Sequence, residues 1–142
     1  MNILERNKET MRKFETVINT ADVEMADKLI DPTASFYSPV SSDILYGGRG
    51  YLHAVYFMRT GFSDIKWIIK DMAAEENKVA VTWECTGTHD GNFMGVEPTG
   101  KKFKSTCMNF YYFNEKGQIT NDISAEGLFA IIKPLGLVKF NV

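Results

Sequence analysis

The sequence has few cysteines and almost no net charge, and each shortage excludes a class of protein. Its two cysteines, Cys85 and Cys107, are too few for a disulfide framework or a zinc site, and a buried free thiol is the simplest interpretation of each. The 16 basic and 18 acidic residues leave a formal net charge of −2, which argues against a nucleic-acid or anionic-membrane partner. Because no apolar run reaches about 18 residues, we expect no membrane span.

The chain is instead rich in large apolar side chains. Aromatic residues make up 13% of its 142 residues, as ten Phe, six Tyr and two Trp, and there are seven Met. Such side chains fill a core and also line pockets for flat organic ligands. This length predicts one domain over residues 1–142. The N-terminal stretch MNILERNKETMRKFE lacks the apolar core of a signal peptide, so a cytoplasmic location is the default prediction.

Hydrophobic spacing predicts helices in the first part of the chain. The apolar residues that recur there at helical intervals are Met11, Phe14, Val17 and Ile18. Asp22 can cap a second helix, which ends before Pro32. The other elements predicted in this part are a short strand at 34–37, a loop at 39–43, a turn at 46–50 and a helix at 51–60.

From Ile65 onward the hydrophobic period changes to two, which is typical of half-buried strands. The predicted strands lie at residues 65–72, 79–88, 102–113 and 118–124, and a short helix follows at 127–134. Helices followed by an antiparallel meander indicate an α+β fold with the helices on one face of a sheet. If the sheet bends around these helices, it leaves a hollow, and polar residues that point into it become candidates for function.

The connection GTHDGNFMGVEPTGKK, at residues 87–102, is unusually long for neighbouring strands. Its glycines and its Pro98-Thr-Gly100 segment favour sharp turns. It lacks the Gly-Lys-Ser/Thr ending of a phosphate-binding loop, because Lys101, Lys102 and Phe103 follow Gly100. We interpret it as a structural connection that shapes the rim of a pocket.

This connection resembles a motif of the SnoaL-like polyketide cyclase and ester cyclase family. The residues that carry the resemblance are Gly87-Thr-His-Asp-Gly91, Phe93, Gly95, Pro98-Thr-Gly100 and the basic residue that follows. Further segments agree in the same order, over roughly residues 8–137; they are Phe62-Ser-Asp64, Val79-Ala-Val-Thr-Trp83, Gly117-Gln-Ile119 and Lys133-Pro-Leu-Gly136.

The resemblance implies a nuclear transport factor 2-like cone, in which a strongly bent, mostly antiparallel sheet forms a cone-shaped barrel around three N-terminal helices. It also implies a homodimer that associates through the sheet, and a site that uses no cofactor and no metal. Characterised cyclases of this type close a ring by an intramolecular aldol reaction on a polyketide methyl ester. The expected partner is therefore a small hydrophobic organic ligand.

An aldol closure needs a base beside the carbonyl, and two residues are catalytic candidates. Asp122 is an acid on the last strand, between Asn121 and Ile123, and it matches the family's acid/base aspartate by position after the Gly-x-Ile turn. A solvated strand-end aspartate paired with a lysine is the alternative. His89 is the second candidate, because histidine as a residue type can move protons near neutral pH. Holding the shape of the glycine-rich loop is its alternative role.

Seven further residues are candidates for binding substrate. They are Tyr37, Tyr56, Arg59, Trp83, Met108, Asn109 and Phe110. Core packing is the alternative for Trp83, and a surface ion pair is the alternative for Arg59. Periodicity places Asn109 opposite Met108 and Phe110 but does not decide which set faces the hollow. Met108 stands where the characterised cyclases have a histidine.

These observations lead to two functional hypotheses. The first is a cofactor-free cyclase, lyase or isomerase that uses Asp122 as general acid/base on a hydrophobic, polyketide-like carbonyl compound. The alternative is a non-catalytic, dimeric binder of a small apolar ligand on the same fold. A variant of the first is proton-shuttling isomerisation, with a tyrosine that donates a hydrogen bond to the oxyanion.

Overall fold

Three helices occupy the first part of the chain. The structure is a computed structural model, and it describes residues 1–38, 42–125 and 127–141. The helices are α1 at Ile3–Thr20, α2 at Val23–Leu29 and α3 at Gly47–Gly61. Asn2 and Asp22 cap the first two, since their side-chain oxygens accept hydrogen bonds from backbone N–H groups at 2.8 and 3.0 Å. The predicted loop at 39–43 lies partly outside the described residues.

Six strands form two sheets in the described part of the chain. The first two, β1 at Ser35–Tyr37 and β2 at Ile44–Tyr46, pair as an antiparallel hairpin. The others are β3 at Lys66–Glu75, β4 at Lys78–Thr88, β5 at Lys102–Phe113 and β6 at Ile119–Ala125. They form an antiparallel sheet in the order β3-β4-β5-β6, and α4 follows at Phe129–Ile132. The α+β prediction is therefore confirmed.

The predicted turn at 46–50 is wrong, because Gly47 and its neighbours form the first turn of α3. The reason is packing: a Cβ atom added to Gly48 would lie 2.7 Å from the carbonyl carbon of Ala26 in α2. Glycine at this position allows two helices to approach closely instead of reversing the chain. The strand β2, at Ile44–Tyr46, directly precedes this helix and was not predicted.

The strand β3 runs three residues beyond its predicted end at residue 72. A register shift between Ile69 and Asp71 marks a β-bulge at Lys70. Trp67 and Ile69 pack against the core before the bulge, and Met72 and Ala74 pack against it afterwards. The inward positions therefore change from odd to even numbers, and the period-two pattern is interrupted within the strand.

The core consists of two hydrophobic clusters along the inner face of β4 and β5. One, the pocket half, surrounds Phe14, Trp83 and Tyr111 and includes the buried faces of the helices. The other, the loop half, lies below the 87–102 connection. Its buried members are Met58, Phe62, Ile65, Cys85, Phe93, Phe103, Ile131 and Leu135.

Candidate active site

A cavity of about 610 Å³ opens between the sheet, α3, the β1–β2 hairpin and the C-terminal segment. This volume suits a small organic ligand. Its walls are mainly aromatic and aliphatic, and polar groups reach it from β5 and β6. The lining residues that matter below are Tyr37, Tyr51, Trp83, Asn109, Tyr111 and Asp122.

Asp122 supplies the carboxyl group of this cavity. It lies in the middle of β6, opposite Tyr111 of β5, and is half-buried. The side-chain amide of Asn109 donates a hydrogen bond to its Oδ2 at 2.9 Å. Burial raises the pKa of the Asp122 carboxyl above its ordinary value, and the Asn109 bond opposes this shift in part. Such a carboxyl is poised to accept a proton in a largely apolar environment.

Asn109 is oriented toward Asp122 by its neighbour across the strands. Ser124 pairs with Asn109 in the register of β5 and β6, and its hydroxyl donates to the Asn109 Oδ1 at 3.5 Å. With its oxygen accepting there, the amide presents its N–H₂ group to Asp122. The amide therefore stabilises the carboxylate form of Asp122 without carrying charge.

Two tyrosine hydroxyls and an indole form a hydrogen-bond chain in the same cavity. The Trp83 Nε1–H donates to the Tyr111 hydroxyl at 3.0 Å. The Tyr111 hydroxyl is in turn hydrogen-bonded to the hydroxyl of Tyr51, near the start of α3. Burial is the main cause that raises the pKa of both phenols, and the charge of Asp122 raises it further. Both therefore stay protonated and can donate hydrogen bonds.

Sequence reasoning did not find Tyr51 and Tyr111. The signal for Tyr111 was present, because it shares the odd-numbered face of β5 with Asn109. No comparable signal marked Tyr51, which precedes the predicted apolar flank of the third helix. Tyr51 lies in the second turn of α3 because this helix begins at Gly47, four residues before its predicted start.

Four of the predicted site residues line the cavity: Tyr37, Trp83, Asn109 and Asp122. Tyr37 is 84% exposed and stands at the mouth, whereas Trp83 is buried in the wall. Asn109 rather than Met108 is thus the residue of β5 that faces Asp122. Asn109 and Asp122 lie on neighbouring strands, so the backbone pairing of β5 and β6 fixes the spacing of their side chains.

Four other predicted substrate-binding residues lie elsewhere, which corrects those assignments. Met108 and Phe110 are on the outer face of the sheet and are 49% and 41% exposed, because successive residues of a strand point to opposite faces. Tyr56 is exposed on α3. Arg59 donates to the backbone oxygen of Asn19 at 2.8 Å, beside a different and smaller depression.

His89 also lies away from the cavity, in the loop half. It is fully buried, its ring centroid is 5.6 Å from that of Phe62, and its Nδ1 lies 3.0 Å from the Thr99 hydroxyl. The backbone N–H of Thr99 donates to the same nitrogen at 3.3 Å. These contacts hold the two ends of the 87–102 loop together, which is the structural alternative considered for this residue.

The fold and the site together define a small α+β protein with a carboxyl and two phenols inside an apolar hollow. The family model for SnoaL-like polyketide cyclases matches residues 8–134, so this chain belongs to that family. Family membership supports a small-molecule role of the cyclase or isomerase type, with polyketide-like ligands. A search of the curated proteins found no match.

Solved structures of similar proteins confirm the cone fold predicted from the sequence. IdmH, a candidate polyketide cyclase from Streptomyces antibioticus, is 26% identical with a TM-score of 0.75, over 92% of this chain and 98% of that one. A candidate polyketide cyclase from Acidithiobacillus ferrooxidans is 25% identical with a TM-score of 0.73, over 98% and 100% of the two chains. TsrD from Streptomyces laurentii is 17% identical, covers 94% and 97%, and has a TM-score of 0.79, which shows the fold alone.

The described part of the chain has neither a grouping of metal ligands nor a helix suited to a membrane. Within residues 1–38, 42–125 and 127–141, no three His, Cys, Asp or Glu side chains are grouped so that they could hold a metal ion. None of the helices in those same ranges is long and apolar enough to span a membrane.

Proposed function

We propose that this protein is a cofactor-independent enzyme of the cyclase, lyase or isomerase type, and that Asp122 is its general acid/base. The substrate is a hydrophobic, polyketide-like carbonyl compound bound in the cavity. Asp122 removes a proton from the carbon beside the carbonyl and later returns it. One observation carries this proposal: the carboxyl lines an apolar cavity where burial raises its pKa.

Proton abstraction can be tested without knowing the natural substrate. We suggest 2-tetralone, a flat apolar ketone, as a probe in deuterated buffer, with NMR measurement of exchange at its α-carbon. The wild-type protein should accelerate exchange, and Asp122→Asn should reduce the acceleration by about a hundredfold or more. Tyr56→Phe, an exposed change on α3, is the matched control and should exchange like wild type. Equal rates for wild type and Asp122→Asn would refute the role of Asp122.

A non-catalytic binder is the second candidate, and one observation favours it. Both histidines of the chain, His53 and His89, lie outside the cavity lining. No histidine is therefore among the described residues that line the cavity beside Asp122. If the wild-type protein binds 2-tetralone in a thermal-shift assay but does not accelerate exchange, the binder is the correct assignment.

We also propose that the protein is a homodimer that associates through the outer face of the sheet. Three exposed apolar side chains on this face support the proposal: Met108, Phe110 and Ile123, which are 49%, 41% and 59% exposed. Phe110 and Ile123 are register partners, so they form one patch. Analytical ultracentrifugation should show a dimer for wild type and a monomer for Phe110→Glu. A monomeric wild type would refute the proposal.

The cytoplasmic location remains a prediction from the sequence. It can be checked by fractionating cells that express the chain with a small C-terminal tag.

A further inference from the structure

A hydrogen-bond chain in the cavity has no part in the proposed role of Asp122. It joins Trp83, Tyr111 and Tyr51, and all three line the cavity. Trp83 and Tyr111 are almost completely buried, whereas Tyr51 is half-buried. Buried polar groups are normally hydrogen-bonded. The residue at the end of this chain therefore has a hydrogen bond to offer to a ligand in the cavity.

The direction of the chain follows from the donors. An indole N–H can only donate, so the Tyr111 oxygen accepts from Trp83 at 3.0 Å. Because the Tyr111 oxygen accepts from Trp83, the proton of the Tyr111 hydroxyl is left to donate to its other partner, the Tyr51 hydroxyl. The Tyr51 proton is then the last donor in the chain.

Aromatic packing holds both phenol rings in place. Phe14 of α1 makes edge contacts with Tyr51 and Tyr111, at centroid distances of 4.9 and 5.5 Å. Phe36 of β1 makes a second edge contact with Tyr51 at 4.9 Å. A donor fixed in this way needs little reorganisation when charge develops near it, which is the condition for effective oxyanion stabilisation.

The Tyr51 hydroxyl also lies within the electrostatic reach of Asp122. The negative charge of Asp122 raises the pKa of both Tyr51 and Tyr111. A carboxylate and a neutral phenol thus face the same cavity from β6 and α3. A carbonyl compound between them can present its α-hydrogen to the carboxylate and its oxygen to the phenol.

We propose that Tyr51 is a catalytic residue that donates a hydrogen bond to the enolate oxygen of the substrate, and that Tyr111 and Trp83 position it. The proposal rests on the proposed function of Asp122. In the step itself, the C–H bond breaks and its proton moves to Asp122. The electron pair forms a carbon–carbon double bond, and the former carbonyl oxygen becomes the anion that Tyr51 binds. Nothing is oxidised or reduced.

This arrangement narrows the class of substrate to enolisable ketones and 3-oxo esters with a flat apolar body. A carboxylate substrate fits poorly, because it would place a second negative charge near Asp122. Each donor in the chain polarises the next, so Tyr111 and Trp83 strengthen the hydrogen bond that Tyr51 makes.

A phenolate can test this donor, because it carries the same kind of oxygen anion as an enolate on a flat ring. The probe is 4-nitrophenolate at pH 8, with binding followed by its visible absorbance. The background is Asp122→Asn, since its neutral amide imitates Asp122 after it has taken up a proton. In this background the phenolate should bind about tenfold more tightly than to wild type, because a like charge has been removed.

Further changes in the Asp122→Asn background test each member of the chain. Adding Tyr51→Phe should weaken phenolate binding by about ten- to hundredfold, which is typical of a lost hydrogen bond to a charged group. Adding Tyr111→Phe should weaken it less, because Tyr51 can still donate. Adding Tyr56→Phe, on the exposed side of the same helix, should change nothing. Circular dichroism establishes that each variant is folded.

The possible outcomes separate the two proposals. If Asp122→Asn binds the phenolate more tightly than wild type but Tyr51→Phe has no effect, the role of Tyr51 is overturned and that of Asp122 survives. If Asp122→Asn gives no increase in affinity, the ligand oxygen is not near Asp122 and the proposed function fails. Absence of phenolate binding in the Asp122→Asn protein would overturn the role of Tyr51 as well.

Discussion

Asp122 and Asp90 lie near opposite ends of β5, and the protein holds their carboxyl groups in different ways. Asp90 is exposed and accepts hydrogen bonds from the Ser63 hydroxyl and, at 2.9 Å, from the Ser63 backbone N–H; these bonds lower its pKa. Asp122 is half-buried, and burial raises its pKa despite the bond from Asn109. The first environment favours the carboxylate and strengthens a loop. The second penalises the carboxylate, which suits a group that must take up a proton.

The apolar surroundings of the two aspartates differ as well. In the loop half, Phe62 packs against Phe93 and Phe103 at centroid distances of 4.9 and 5.2 Å. Gly87 allows this packing, because a Cβ atom there would lie 2.8 Å from the Phe103 ring. In the pocket half the aromatic rings stand around a cavity instead of filling it. The loop half is therefore suited to stabilising the fold, and the pocket half is suited to binding a ligand.

The largest expected effect comes from opening a cavity in the filled half. Phe62→Ala should lower the free energy of unfolding by about 3–5 kcal/mol, because a fully buried ring is removed from a packed cluster. Urea denaturation followed by circular dichroism measures this change. If the two halves are independent, the variant should still bind 4-nitrophenol under conditions where it is folded. A loss below about 1 kcal/mol would contradict tight packing of the loop half.

The next effect concerns the charge of Asp122. Its pKa is raised in the folded state, so the folded protein holds this proton more tightly than the unfolded chain. The stability from this group is complete below the unfolded value of 3.8 and is lost as pH rises through the raised folded pKa. Asp122→Asn should therefore raise Tm by a few degrees at pH 7 and leave it nearly unchanged below pH 3.8. A lower Tm at pH 7 would contradict this sign.

A smaller effect of opposite sign is expected at Asp90. Its folded pKa is lowered, so its contribution to stability is present above the unfolded value of 3.8 and is lost as pH falls through the folded pKa. Asp90→Asn should lower Tm slightly at pH 7, and the difference from wild type should shrink in acid. Thermal unfolding of both aspartate variants over the same pH series gives two profiles of opposite slope. Parallel profiles would show that the two environments are alike.

The smallest effect is expected outside both halves. Tyr56 is 46% exposed on α3, so Tyr56→Ala should change the free energy of unfolding by no more than about 0.5 kcal/mol. Its rate of 2-tetralone exchange should equal that of wild type. A large loss of exchange activity would show that Tyr56 contributes to the site.

Predictions from the sequence were most successful where local patterning determines structure. The strand β5 matches its predicted range of 102–113, and β4 differs from its prediction by one residue; no bulge interrupts the pairing of these two strands. The errors fall at Gly47 and at Lys70. The segment that begins at Gly47 is the start of a helix that packs closely on α2, not a turn. At Lys70 a bulge changes which residues of β3 face inward.

The amino-acid sequence by itself determined the order of helices and strands apart from β2, the family-like loop and the choice of Asp122 as the acid to examine. These follow from hydrophobic period, turn residues and motif, all of which are local. Only the tertiary structure decided that the odd-numbered face of β5 lines the cavity and that His89 does not. Only the tertiary structure brought Tyr51, Tyr111 and Trp83 together, because they come from a helix and two strands whose distances depend on packing across the core.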